Sequence, residues 1–333
     1  MPSTGLAAGI ATGVGSLPHR NAVAAAASVL RCLPELPSVP QLPARSHHEQ
    51  LVAQPLHGID GIEFADDGAI VLGASFDPGV TVPEELEPEA FGGLLAFVEQ
   101  ARRAARPPAR VKAQVTGPLT LGVALTRAGV PRDDAFALAA RVTRARARAV
   151  ERHVLRALPD ASLVLFYDEP ALVCWRDEPP LDREAATDLL SGALASTGCV
   201  AGVHVCGAGD LRLALSAGPE IVHLDVHALA FEDSIALARF LEGGGWVAWG
   251  AVPTHGPIGE HPAPLWKSLL DVWCELTRRG CDPVLLRTQG IVAPACGLAG
   301  HGPSQAERAM RLARELGNRV HDQAAATKLA VGA

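Results

Sequence analysis

Short apolar stretches alternate with longer stretches of helical periodicity along most of the chain. In 162–167, for example, apolar residues run almost without a break until Asp168. Strands that are apolar on both faces are typical of a parallel sheet covered by helices. The predicted strands are 10–18, which runs into a Gly-Ser turn, 111–115, 162–167, 202–206, 220–225, 246–250 and a last one within 285–293. The predicted helices are 21–32, 89–103, 119–128, 133–158, 183–196, 211–217, 234–242, 265–279 and 304–316.

This alternation predicts the α/β class and, within it, a (β/α)8 TIM barrel that forms a single domain over residues 1–333. The alternative is an open, doubly wound sheet that binds a dinucleotide. Its fingerprint, G-x-G-x-x-G, is missing from the first strand–helix turn, because Gly13-Val14-Gly15 is followed by Ser16-Leu17-Pro18. The barrel is therefore the preferred prediction.

Two segments interrupt the alternation before the helix at 89–103. Residues 33–45 carry a proline at every third position from Pro34 to Pro43, a spacing that favours an extended surface excursion. Residues 59–64 and 69–72 flank Asp66-Asp67-Gly68, which predicts a β-hairpin. The predicted barrel thus carries an N-terminal excursion and a hairpin.

The amino-acid composition limits which residue types can form the core and which partners the protein can bind. Hydrophobic residues make up 48% of the chain and aromatic residues only 4%, so the core must consist mainly of Ala, Val and Leu. The net charge of −7 argues against binding to the phosphate backbone of a nucleic acid. One local group of arginines is spread around a predicted helix and is interpreted as a solvated face. It consists of Arg141, Arg144, Arg146 and Arg148.

The chain has no apolar run of about eighteen residues or more, so no membrane-spanning helix is predicted. Its first residues lack the basic start and apolar block of a signal peptide. We therefore expect a cytoplasmic protein without a membrane partner. In that compartment the seven cysteines are expected to be thiols or metal ligands rather than disulfides.

Two metal-binding side chains stand two residues apart on the predicted strand 202–206. Alternate residues of a strand point to the same side, so His204 and Cys206 present an imidazole and a thiol to one face. Both groups are good zinc ligands. The competing interpretation is a core strand in which a histidine and a cysteine happen to be buried.

Polar residues also collect where the other predicted strands end, and in a (β/α)8 barrel the chemistry lies at those ends. Four of them could form a tetrahedral zinc set with nitrogen, sulfur and oxygen donors. They are His204, Cys206, Asp225 and Cys296. His223 shares the strand face of Asp225 and is the alternative fourth ligand. The remaining strand-end residues are Gly15, Ser16, Thr116, Gly117, Pro118, Asp168, Glu169 and His255.

These motifs resemble the catalytic half of cobalamin-independent methionine synthase. The resemblance rests on His204-x-Cys206, on a carboxylate that ends the next strand, and on the Pro-x-Cys-Gly motif at 294–297. It runs from about residue 10 to residue 315, with the motifs in matching order. The wider barrel superfamily includes uroporphyrinogen decarboxylase and methyl-cobalamin:thiol methyltransferases. Further matching pieces are 15–16, 116–120, 168–172 and 250–255.

The resemblance implies a zinc-dependent methyltransferase that acts on the thiol of homocysteine and forms methionine. Zinc would be held by the four-residue set above, with Asp225 in the place of the family's usual Glu. Asp168 would bind the amino group of homocysteine, and His255 would be the general acid near the leaving group. The implied substrate-binding residues are Gly15, Ser16, Asp168 and Glu169.

The chain departs from the family's pattern at points that concern the methyl donor. Where the family carries a tryptophan that stacks on the folate, residues 121–124 read Leu-Gly-Val-Ala. Cys174 stands where an acidic residue is expected, and full-length members carry a further N-terminal half. The donor is therefore left open between methyltetrahydrofolate and a methyl-corrinoid protein.

Three alternative functions remain at this point. A methyl-corrinoid:thiol methyltransferase would use the same zinc site with a different donor. An enzyme similar to uroporphyrinogen decarboxylase would need a basic cavity for several carboxylates and no zinc. A non-catalytic, metal-sensing or structural barrel would have a closed site with four protein ligands.

Overall fold

The fold is of the α/β class, with a parallel sheet whose strands are joined by helices. The computed structural model describes residues 4–65, 68–175 and 179–331. The predicted hairpin is confirmed as β1 (Ile62–Phe64) and β2 (Ile70–Leu72), which pair antiparallel, although Asp66 and Asp67 lie outside the described residues. The main sheet has six parallel strands, each paired with the next in chain order. They are β3 (Arg110–Thr116), β4 (Ser162–Asp168), β5 (Val200–Val205), β6 (Ile221–Asp225), β7 (Trp246–Val252) and β8 (Gly290–Pro294).

Two extended segments continue the sheet beyond its outer strands. At one edge Ala11 forms a parallel bridge with Val292 of β8, and at the other Ser38 forms one with Lys112 of β3. The two segments also meet each other, because Ser16 and Gln41 form a third parallel bridge. The structure thus supports part of the predicted (β/α)8 barrel. This part is a six-stranded parallel sheet in which each of the two edge strands forms a bridge with a further extended segment.

The prediction that the proline-rich segment 33–45 forms a surface excursion is wrong. Ser38, Val39 and Gln41 are buried, so this part of 33–45 is not a surface excursion. The Val39 amide donates to the Lys112 carbonyl at 2.8 Å, and the Gln41 amide donates to the Gly15 carbonyl at 3.0 Å. Proline at every third position kept the chain extended, as predicted, but the extended chain lies against the sheet.

Helices fill the connections between the strands. They are α1 (Ala22–Cys32), α2 (Ala53–Leu56), α3 (Pro88–Arg103), α4 (Pro118–Arg127), α5 (Arg132–Ala157), α6 (Arg183–Leu194), α7 (Leu211–Ser216), α8 (Ser234–Glu242), α9 (Pro262–Arg278), α10 (Pro283–Thr288) and α11 (Pro303–Val331). Helix α10 was not predicted from the sequence; it begins where Asp282 accepts a hydrogen bond from the Val284 amide at 2.7 Å and Pro283 takes the first helical position. No described helix is both long enough and apolar enough to cross a membrane.

The interpretation of the arginine group as a solvated face is wrong for Arg146. This side chain is only 1% exposed, although it lies in the middle of α5. Its guanidinium donates to backbone carbonyls of Pro55, His57, Pro83 and Glu85. The buried cation therefore fastens the connection that contains the hairpin to α5.

Candidate metal centre

Three potential metal ligands come together at the C-terminal ends of β5 and β8. His204 is in β5, Cys206 follows that strand directly, and Cys296 follows β8. The Sγ atoms of Cys206 and Cys296 lie 3.4 Å apart, and Cys296 Sγ lies 3.9 Å from His204 Nε2. All three ligand atoms lie within 4.8 Å of one another. Donors around a tetrahedral zinc ion are about 3.5–3.8 Å apart, given the usual metal–ligand distances, so the spacing fits such an ion.

The surroundings keep His204 neutral, which is the form that binds a metal. The side chain is 4% exposed, and burial lowers its pKa well below the usual value, with a further contribution from the charges of His223 and Lys112. The two thiols act on each other through their hydrogen bond. It lowers the pKa of Cys296 to about 7 and raises that of Cys206.

The two candidates for a fourth ligand are placed differently from the other three. Asp225 ends β6, and its Oδ1 accepts a hydrogen bond from the His227 amide at 2.8 Å. It does not belong to the group of ligand atoms within 4.8 Å of one another in the described part of the chain. His223 contacts His204 through the two Nδ1 atoms, and its Nε2 lies 3.0 Å from the Pro294 carbonyl oxygen. His223 therefore contacts the Nδ1 side of the His204 ring, whereas the Nε2 side of that ring is near Cys296.

A cavity of about 530 Å³ opens beside the three potential ligands. Its wall includes all three of them together with Asp168 and Ser16, and much of the remaining wall is apolar. No Phe, Tyr, Trp, Lys or Arg is among the described residues that line it. The cavity therefore offers neither an aromatic stacking surface nor a set of cations for several carboxylates.

Asp168 lines this cavity and has a buried carboxylate oxygen without a partner. The side chain is 6% exposed, and Oδ1 has no hydrogen-bond partner among the described residues. Burial raises the pKa of Asp168 to about 6, while the charge of Lys112 acts in the opposite direction. Because a buried polar atom without a partner is costly, this oxygen is suited to accept hydrogen bonds from a cationic ligand.

Gly15 and Ser16 lie at the junction of the first bridged segment and the cavity. Gly15 has a φ of 135°, and a Cβ atom there would come within 2.3 Å of the Gln114 side chain, so only glycine fits. Ser16 lines the cavity and accepts a hydrogen bond at its carbonyl from the Leu298 amide at 2.9 Å. A Cβ atom on Gly297 would meet Ser16 Oγ at 1.9 Å, so this glycine allows the segment to pack against the residues after Cys296.

Four of the predicted site residues are not among the described residues that line the cavity, namely Gly15, Asp225, Glu169 and His255. Glu169 is fully buried and accepts hydrogen bonds from the amides of Leu119 and Thr120, at 2.9 and 2.7 Å, and from the Thr120 hydroxyl. It therefore caps the N-terminus of α4. His255 is exposed on the connection between β7 and α9. Neither residue is among those that line the cavity.

Lys112, which was not predicted as a site residue, is 2% exposed in β3. Its Nζ donates to the Val14 carbonyl and, at 3.1 Å, to Gln114 Oε1, and it lies 5.1 Å from the centre of the Phe166 ring. Burial lowers its pKa to about 8, against the effect of Asp168. A lysine between Val111 and Ala113 on a strand of a covered parallel sheet was the signal that could have revealed it.

Comparison with known proteins shows the fold. Neither the protein-family models nor the curated proteins compared with this chain gave a match. A solved B12-independent methionine synthase from Shewanella sp. W3-18-1, in complex with selenomethionine, is 15% identical, with a TM-score of 0.66 over 95% of this chain and 98% of that one. A methyltransferase from Methanosarcina mazei is 16% identical, with a TM-score of 0.59 over 95% of this chain and 94% of that one. At these identities the likeness shows a shared fold.

Proposed function

We propose that this chain is a zinc-dependent methyltransferase that transfers a methyl group to the thiol of homocysteine and forms methionine. The observation that carries the proposal is the group of His204, Cys206 and Cys296, which lines a cavity together with Asp168, whose buried Oδ1 has no described partner. The fold shared with a B12-independent methionine synthase and with a methyltransferase supports the reaction class. We also propose that the two bridged segments complete a (β/α)8 barrel and that residues 1–333 form one domain.

The residues present fit zinc better than a hard cation. One imidazole and two thiols are soft or intermediate donors, whereas calcium and magnesium prefer oxygen ligands. His204, Cys206 and Cys296 would hold the ion, which leaves one position for a substrate thiol or for Asp225. A zinc ion bound there would supply a deprotonated, nucleophilic sulfur at neutral pH.

The protein's own residues would bind and orient the amino acid. The unpartnered carboxylate oxygen of Asp168 would accept hydrogen bonds from the ammonium group, and the backbone at Gly15 with the hydroxyl of Ser16 would bind the carboxylate. The mainly apolar wall between them would contact the methylene groups and exclude water. His255 would protonate the leaving group only after its exposed connection had moved toward the cavity.

The second candidate function is a methyl-corrinoid:thiol methyltransferase, which keeps the same site and differs in the donor. It is favoured by the lack of Phe, Tyr and Trp among the described lining residues. The same lining contains no Lys or Arg, which weighs against an enzyme similar to uroporphyrinogen decarboxylase. A group of three ligands beside a large cavity also weighs against a closed structural zinc site.

Metal analysis tests the site directly. Wild-type protein should contain one zinc ion per chain, and His204→Ala and Cys296→Ser should lose most of it. The matched control is Cys274→Ser, because Cys274 is an exposed thiol on α9. Wild-type protein without zinc, or full zinc retention in either ligand variant, would refute the metal centre.

X-ray absorption at the zinc edge then separates a catalytic site from a structural one. Addition of homocysteine should add one sulfur ligand to the zinc ion, because the substrate thiol enters the open position. An unchanged spectrum at saturating homocysteine would overturn the proposed substrate. Formation of methionine from homocysteine and a methyl donor completes the test.

A further inference from the structure

A line of polar contacts crosses the interior of the sheet behind the three potential ligands. The Pro294 carbonyl oxygen lies 3.0 Å from His223 Nε2, and His223 Nδ1 contacts His204 Nδ1. His204 Nε2, on the far side of its ring, lies 3.9 Å from Cys296 Sγ. Both imidazoles are buried, with exposures of 4% for His204 and 3% for His223, so their nitrogens must find partners within the protein.

The Pro294 carbonyl, at one end of this line, determines which atom donates and which accepts in each hydrogen bond of the line. A carbonyl oxygen only accepts, so Nε2 of His223 must carry the proton and donate to Pro294. A neutral imidazole has one N–H, which makes Nδ1 of His223 an acceptor. The Nδ1 of His204 must then be the donor, and Nε2 of His204 keeps its lone pair, directed toward the cysteines.

The surroundings disfavour the alternative in which either imidazole carries two protons. Lys112, His204 and His223 line one small cavity of about 10 Å³. A second positive charge beside the buried ammonium of Lys112 would be repelled at short range in a medium of low dielectric constant. The neutral arrangement is therefore the one that satisfies all the described contacts.

The fold makes this arrangement possible through strand register. His204 and His223 are paired positions of the parallel strands β5 and β6, so their side chains lie side by side. From β6 the His223 ring reaches the last residue of β8, two positions before Cys296. One side chain thus connects the strand that carries His204 with the turn that carries Cys296.

We propose that His223 is a positioning residue that sets the tautomer of His204, so that Nε2 of His204 is free to bind the metal. The role in metal binding rests on the proposed function; the tautomer does not. Partners that orient a metal-binding histidine in this way commonly raise the affinity for the metal 10- to 100-fold. His223 has both nitrogens engaged, so it does not act as the spare ligand that its position in the sequence allowed.

Two substitutions of His223 separate this role from simple packing. In His223→Gln the amide nitrogen can donate to Pro294 while the amide oxygen accepts from His204, which preserves the polarity of the line. His223→Phe fills the space with a ring but offers no acceptor. Zinc affinity, measured by competition with a chelator, should fall about 10- to 100-fold in His223→Phe and stay closer to the wild-type value in His223→Gln. Equal affinity in the wild type and His223→Phe, or a larger loss in His223→Gln than in His223→Phe, would overturn the proposal.

A spectroscopic measurement tests the tautomer without any zinc. Long-range ¹H–¹⁵N spectra of the reduced, metal-free wild-type protein should show the proton of His204 on Nδ1 and that of His223 on Nε2. The two rings can be assigned by their loss in His204→Gln and His223→Gln. A proton on Nε2 of His204 would refute the inference. A wild-type protein with the expected tautomers but no affinity for zinc would instead refute the proposed function.

Discussion

Cys206 Sγ and Cys296 Sγ lie 3.4 Å apart although the two cysteines are 90 positions apart in the chain. One follows β5 and the other follows β8, so the pair exists only because the sheet brings the ends of these strands together. With His204 beside them, the two thiols are in position either to share a metal ion or to react with each other.

Removal of the metal should therefore expose a redox-sensitive pair. A disulfide requires a sulfur–sulfur distance of about 2.0 Å, so the two atoms need to approach by roughly 1.4 Å. In chelator-treated protein, a disulfide oxidant such as oxidised glutathione should accept two electrons from the pair as the thiols lose their protons and bond to each other. Thiol titration should then find two fewer of the seven cysteines, and peptide mapping should join Cys206 to Cys296.

The zinc-loaded protein and Cys296→Ser are the two controls for this experiment. Zinc coordination should protect both thiols, and the serine variant should lack the joined peptide. Equal loss of thiols with and without zinc would show that the metal does not bind at this pair.

Substrate binding should depend on pH through Asp168. Burial raises the pKa of this carboxyl to about 6, and only the ionised form can hold an ammonium group strongly. The affinity for homocysteine should therefore be highest above pH 6 and fall as the pH drops through that value. Thermal-shift or calorimetric titrations between pH 5 and pH 8 would measure it.

Asp168→Asn isolates this contribution from the titration of the zinc-bound thiols. The variant should bind homocysteine about tenfold or more weakly at neutral pH, because a charged hydrogen bond is lost. The affinity of this variant for homocysteine should also lack the change near pH 6 that the wild type shows. An unchanged affinity and pH profile would remove Asp168 from the substrate site.

Much of the fold followed from patterns that are local in sequence. The apolar stretch before Asp168 became β4, and α8 begins and ends where it was predicted. His204 and Cys206 were predicted to face one side because the period of a strand is two residues. These features depend on neighbours along the chain, which a sequence displays directly.

The features that were missed depend on contacts between distant segments. Arg146 is buried because four carbonyls from another connection surround it, and Lys112 because Val14 accepts its hydrogen bond. The role of Asp225 as a zinc ligand stays a prediction, and its Oδ1 accepts a local hydrogen bond from the His227 amide. The position of His223 was known from the sequence, whereas its contact with Pro294 needs the whole sheet.

Arg146 should be important for stability. Arg146→Lys keeps the charge but loses the planar fork that donates to several carbonyls at once. Because buried acceptors are left unsatisfied, the free energy of unfolding should fall by about 2 kcal/mol or more. Urea denaturation would measure this loss. Arg148→Lys, an exposed change on the same helix, should alter it by less than about 0.5 kcal/mol, and equal effects of the two changes would contradict the role given to Arg146.

The lining of the cavity bears on the identity of the methyl donor. We expect methyltetrahydrofolate to be a poor donor and a methyl-corrinoid to be a better one. A pterin ring gains about 0.5–1.5 kcal/mol from aromatic stacking beyond the area that it buries. The described lining of the cavity has no Phe, Tyr or Trp, and Leu121, near the expected tryptophan position, is fully buried. Cys174, in place of the expected acid, cannot accept hydrogen bonds from the pterin as a carboxylate would.

Each lost interaction should lower the affinity for the folate by roughly tenfold, since about 1.4 kcal/mol corresponds to one decade. Binding of homocysteine should not suffer, because Asp168 and the three potential zinc ligands belong to the thiol side of the site. The assay is methionine formation from homocysteine with the two donors in parallel, compared by kcat/KM. The catalytically dead control is Cys296→Ser, which should abolish turnover with both donors. Efficient turnover with methyltetrahydrofolate would refute this prediction and would identify folate as the methyl donor. That result would not contradict the proposed zinc site.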